Sequence, residues 1–147
     1  QGTCQEVRDD CPPAFGDVVD ASGPGFRVGD TTWVYSGDST LRLDSASGSC
    51  GGGGSPEEPV RFEAPAEGVY TFRIAAGDGR DTVMYARSSC GEAGPEAELG
   101  CNDDAPGGGT LNSELTLALS AGQVVYVFAD TFGGGFGGLF TLTIEVL

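Results

Sequence analysis

The sequence predicts an all-β fold, a single jelly-roll-like sandwich of about eight to ten antiparallel strands. Three observations lead there. Apolar residues alternate with polar ones at period two along most of the chain. Turn-forming clusters recur roughly every ten residues. No helix-period stretch is long enough to form a stable helix.

The strand segments follow in order. "TTWVYSG" and "STLRLDS" come first, separated by "SGDS". "PVRFEAP" follows the glycine-rich "GGGGSPEEP". "VYTFRI" sets Tyr70, Phe72 and Ile74 on one face, as expected of a half-buried strand. "DTVMYARSS" begins after the turn "AGDGRD". "ELTLALS" aligns Leu115, Leu117 and Leu119, and "QVVYVFAD" follows "SAGQ". The closing "LFTLTIEVL" opposes Phe140, Leu142, Ile144 and Val146 to Thr141, Thr143 and Glu145. Residues 1–23, with paired prolines and a short apolar piece at Phe15, Val18 and Val19, read as an N-terminal arm before a domain at 24–147.

The chain has 147 residues, enough for one domain with a real core. Twenty-two acidic residues against seven basic ones give a net charge of −15. All the basic residues are arginine, and there is no histidine. Such a surface repels nucleic acid and anionic lipid and suits cations. Histidine-based triads and histidine-ligated zinc are excluded. No apolar run is long enough to span a membrane as a helix. A start at Gln1 suggests a mature secreted product whose signal peptide is gone.

Five cysteines, with no C-x-x-C, fit an oxidising compartment. Cys90 and Cys101 close a small loop and are expected to pair, which would stabilise the fold by about 3 kcal/mol. Cys4–Cys11 is the second expected bond, its rival a bond from either to Cys50. One cysteine is left over.

Three carboxylates on turns, Asp81, Asp103 and Asp104, form a candidate calcium site, since calcium takes irregular sets of hard oxygens. The competing reading is turn capping by Asx side chains. No EF-hand or nonapeptide calcium motif is present. Adjacent Asp103 and Asp104 point to opposite faces if extended, poor geometry for a catalytic pair. No catalytic residues are assigned, and an enzyme is not expected. Phe132 and Phe136 in "DTFGGGFGGLF" are candidate contacts for a sugar, a polymer or a neighbouring subunit. Trp33 and Tyr35 share one strand face, with core packing the default and a carbohydrate platform the alternative.

In the second half, "FEAPAEGVYTFRI", "GRDTVMYARSSC", "LGCNDD", "SELTLALSAGQVVYVFAD" and "FTLTIEV" resemble the bacterial pre-peptidase C-terminal (PPC) domain, over about residues 24 to 147. The resemblance implies a secreted, non-catalytic sandwich, usually appended to exported enzymes, with a calcium-binding branch among the clostridial collagenases. It implies that the "DTVMY" and "CNDD" strands are near one another. It also places Cys90 and Cys101 at the ends of neighbouring strands.

Three functions are then open. The favoured one is a self-assembling subunit of an extracellular filament or surface layer, with other copies of itself as partners and Phe15, Val18 and Val19 as the arm's anchors on a neighbour. The second is a lone secreted module that binds a glycan or protein. The third is an appendage released from an enzyme.

Overall fold

A computed structural model of the chain describes residues 11, 18–40, 42, 46–51, 53–76, 80–91, 97–103, 112–131 and 137–147. Nine strands occur among them, with one short 3-10 turn at Pro24–Phe26. In chain order they are β1 (Val19–Asp20), β2 (Thr32–Asp38), β3 (Glu58–Glu63), β4 (Gly68–Ala75) and β5 (Thr82–Arg87). β6 (Glu98–Asn102), β7 (Ser113–Leu119), β8 (Val124–Thr131) and β9 (Leu139–Val146) complete the series.

The strands form two sheets. Four run in the order β2-β9-β4-β7, and five in the order β1-β3-β8-β5-β6. Alternation decides which side chains lie between them. Tyr70, Phe72 and Ile74 of β4 meet Phe62, Met84 and Val127 from the opposite sheet, together with Leu142 and Ile144 of β9. Leu115 and Leu117 pack against this core from an edge strand, where they stay partly exposed. Trp33 is buried edge-on to Phe62, with ring centroids 5.1 Å apart, so it belongs to the core and offers no sugar platform. The all-β sandwich expected from the alternation is the fold of the chain.

Two strand expectations need correction. The pair β1–β3 is parallel, Val19 lying opposite Val60 and Asp20 opposite Arg61. Segment 39–45 does not continue as a strand where it is described. β2 ends at Asp38, whose Oδ1 accepts a hydrogen bond from the Thr40 N–H at 2.9 Å. This Asx turn diverts the backbone from the ladder, and Thr40 and Arg42 lie in a turn and a bend.

The five-stranded sheet has a third layer. Its outer face carries Val83 and Tyr85 from β5 and Tyr126 and Phe128 from β8, all buried. Cys11, Val18, Ala46 and Cys50 pack over them. Two disulfides hold this cover, Cys11–Cys90 and Cys50–Cys101. The expected Cys90–Cys101 and Cys4–Cys11 bonds are thereby corrected, and Cys4 itself lies outside the described residues. The reason is position on the ladder. Cys101 stands opposite Tyr85 in the β5–β6 pair, five residues before Cys90 along the chain, so the two sulfurs sit at different heights. Each cysteine instead reaches a segment crossing the outer face.

Val18 and Val19, expected to anchor a neighbouring copy, are taken up within the chain itself. Val19 pairs in the chain's own sheet, and Val18 packs on the outer cluster. Ala21 is wholly buried and donates its N–H to the Arg61 carbonyl at 2.8 Å. Residues 18–21 are thus joined to the sandwich rather than held away from it.

Candidate binding site

Consecutive glutamates at the start of β3 point to opposite sides of the five-stranded sheet. Glu57 turns outward, where its Oε1 accepts the Ala46 N–H at 3.1 Å and ties down the covering segment. Glu58 shares the parity of Val60 and Phe62 and turns inward, into the gap between the sheets. A carboxylate there must be hydrogen-bonded to be tolerated.

It is. The Tyr35 hydroxyl, from the inner face of β2, donates to Glu58 Oε2. The Asp38 backbone amide also favours the charged form of this carboxylate. Arg42 Nε lies 3.7 Å from Oε1, a charge contact beyond direct hydrogen-bond length. Burial pushes Glu58 above the ordinary glutamate range, against the lowering effects of the Tyr35 hydroxyl, Arg42 and the Asp38 N–H. Burial, followed by the bond to Glu58, raises Tyr35 as well. The hydroxyl is therefore a fixed donor at neutral pH.

These groups line a cleft of about 610 Å³ at one end of the sandwich. Tyr35 to Asp38 and the paired Leu139 to Thr141 form one continuous wall, and Glu58 and Arg42 complete the lining. Gly37 permits the wall to form. A Cβ there would come within 2.6 Å of the Phe140 ring and 2.9 Å of the Tyr35 ring. Phe140 and Tyr35 meet edge to face at 6.0 Å and give this wall apolar surface. Leu139 stands at the rim, 65% exposed.

A second polar cluster, on the covered outer face, is closed rather than open. The Tyr85 hydroxyl donates to Asp130 Oδ2 at 2.8 Å, and the Tyr85 and Phe128 rings stack at 4.9 Å. The Arg87 guanidinium lies 4.8 Å from the Phe128 centroid and donates to the Ser47 carbonyl at 3.0 Å. Gly48 permits the cover to lie this close, since a Cβ there would meet Cys101 Sγ at 2.6 Å. Arg87 and Glu57 hold the cover in place.

The structure brings two members of the expected calcium set to one corner. β5 pairs with β6, Met84 lying opposite Asn102, so the "DTVMY" and "CNDD" strands are neighbours. Ser113 Oγ lies 2.9 Å from the Thr82 carbonyl and 2.8 Å from that of Asp103, which draws the two backbones together. Asp103 keeps a buried Oδ1 with no hydrogen-bond donor. Asp104 lies outside the described residues, and among those described no three metal-ligating side chains converge. Phe15, Phe132 and Phe136 also lie outside them.

Sequence reasoning singled out Tyr35 but missed Glu58, Arg42 and Leu139. One clue was available: in "PEEPVRF", Glu58 falls on the same alternation as Val60 and Phe62, a charge on the core face.

No protein-family model matches the chain, and no curated protein does. Solved structures do match. One is PliG of Aeromonas hydrophila, a periplasmic lysozyme inhibitor of g-type lysozyme, at 14% identity and a TM-score of 0.56. The match covers 88% of this chain and 97% of that one. Another is the pre-peptidase C-terminal domain of Bacillus anthracis collagenase, at 11% identity and a TM-score of 0.50. That match covers 78% of this chain and 90% of the other. The class these features define is a PPC-like β-sandwich. Within it, this chain carries a disulfide-held outer layer and an acid-lined cleft between its sheets. The two disulfides fit a secreted or periplasmic setting. No helix among the described residues is long and apolar enough to cross a membrane.

Proposed function

We propose that the protein is a non-enzymatic binding module, secreted or periplasmic in a bacterium, whose partner is a basic protein. The observation that carries this reading is the charge of −15 on a domain with no lysine and no histidine. A field of that sign steers cationic surfaces into contact and sets them in register. The likeness to PliG over nearly its whole length makes a g-type lysozyme the first partner to try. Calorimetric titration with such a lysozyme, with lytic activity followed in parallel, tests the reading. Saturable binding that weakens as salt rises from about 50 to 500 mM is expected. Absence of binding at low salt would remove lysozyme as the partner, and absence with a panel of basic secreted proteins would remove the reading.

Self-assembly into a filament or surface layer loses two of its three supposed arm anchors, because Val18 and Val19 pack within the chain. Light scattering that finds a monomer at every salt concentration would end it, and large particles would restore it. Calcium at the Asp81–Asp103 corner is supported by the buried Asp103 Oδ1. Calcium bound there would raise the melting temperature relative to chelator. Identical melting curves, unchanged by Asp103→Ala, would leave turn chemistry as the role of these residues.

A further inference from the structure

We infer that the inter-sheet cleft is a socket for one arginine or lysine side chain of the partner protein, its cation resting on the Glu58 carboxylate and its methylene stem on Leu139 and Tyr35. This rests on the binding-module reading above and deepens it.

The cleft matches such a side chain in both of its parts. A basic residue is a long apolar stem with a charged tip, and it binds best where an apolar wall leads to an anion. Here the exposed Leu139 forms the rim, Tyr35 and Phe140 form the wall, and Glu58 lies at the base with its side chain 2% exposed. A surface carboxylate contributes little to recognition because water screens it. One held in a protein cleft acts through a lower dielectric and counts for more. Glu58 is also held in place by the Tyr35 hydroxyl on one oxygen, so an incoming cation meets an acceptor already oriented.

Arg42 does not fill this role. Its Nε stands 3.7 Å from Oε1, past the length of a charge-assisted hydrogen bond, and a closer donor can take that oxygen. Among the described residues, the other charged groups nearby are Asp38 on the wall and Arg80 beside it. Arg80 is directed to Thr131 Oγ1 at 3.0 Å and to the Leu139 carbonyl, and it braces the rim.

Two probes separate the socket from the partner's identity. N-acetyl-arginine amide and its uncharged isostere, N-acetyl-citrulline amide, are titrated into the labelled protein while the amide resonances of Tyr35, Asp38 and Leu139 are followed. The arginine probe is expected to shift them and the citrulline probe to leave them in place, and Glu58→Gln should abolish the arginine response. In a lysozyme titration, Glu58→Gln is expected to weaken binding by about tenfold or more, as removing one member of a buried charge pair does. Leu139→Arg, at an exposed position where folding is not at stake, sets a cation at the mouth and should weaken binding in the same direction. The inference is overturned if both probes act alike, or if Glu58→Gln and Leu139→Arg bind lysozyme as the wild type does. If the arginine probe binds in the cleft while lysozyme does not bind at all, the socket stands and only that partner falls.

Discussion

The outer faces of the two sheets are built from opposite materials. On the five-stranded sheet, Val83, Tyr85, Tyr126 and Phe128 form an apolar surface that the chain covers with its own segments and fastens with two disulfides. On the four-stranded sheet the outward positions are mostly polar, among them Thr32, Thr71, Arg73, Thr116, Thr141, Thr143 and Glu145, with Val34, Val69 and Ala118 set singly between them. Arg73 bridges Glu114 at 3.1 Å and Glu145 at 3.4 Å there. A polar face of this kind stays in water without cost, whereas an aromatic face left bare would be a site of aggregation. One sheet face is thus sealed by covalent bonds, and the other is left to solvent.

The largest test of this contrast is to release the cover. Replacing Cys11 and Cys90 together by serine should lower unfolding stability by about 4 kcal/mol, as should replacing Cys50 and Cys101, given the length of chain each bond closes. Urea denaturation of each pair measures this, and non-reducing peptide mapping should link Cys11 to Cys90. Equal stability with and without reductant would mean that the cover stays down by packing alone. Next in size, Tyr85→Phe removes a donor from the buried Asp130 and should cost about 1–3 kcal/mol.

A smaller effect, readable as a trend with pH, belongs to the cleft. Because burial raises Glu58, the fold favours its protonated form. Stability from this group is fully present below the ordinary glutamate value of 4.5 and is lost as pH rises through the raised folded value. Wild type should therefore lose stability relative to Glu58→Gln as pH climbs through that window. Parallel melting curves across it would show that the carboxylate is better solvated than its position implies. Smallest of all, Arg73→Ala on the open face should change stability by less than about 1 kcal/mol, since its ion pairs are exposed. A large loss would show that the open face is held as firmly as the sealed one.

The sandwich itself was legible because period two is a property of each strand alone. Tyr70, Phe72, Ile74, Leu142 and Ile144 could be assigned inward from their own segments. The third layer was not, because it depends on which segment crosses which face. Its trace was nonetheless present: "VMYA" and "VVYVFA" are apolar without a break, as expected of strands buried on both sides. The disulfides were misassigned for the same reason. Nearness in sequence favours Cys90 with Cys101, but the ladder register sets them apart and offers each a more distant partner. The cleft was half legible, in the parity of Glu58. Its rim residue Leu139 looked like any other residue at a strand end.

The two disulfides interlock along the chain, each with one end inside the span of the other: Cys11 to Cys90, Cys50 to Cys101. A single peptide-bond cut anywhere between Cys11 and Cys101 therefore leaves the two pieces joined by at least one bridge. The first of the glycine-rich stretches, residues 51–54, falls inside both spans. A nick there severs the backbone without letting either fragment diffuse away, and the strands on both sides remain close enough to stay paired. Among proteases, this molecule can be cut between Cys11 and Cys101 and still stay whole.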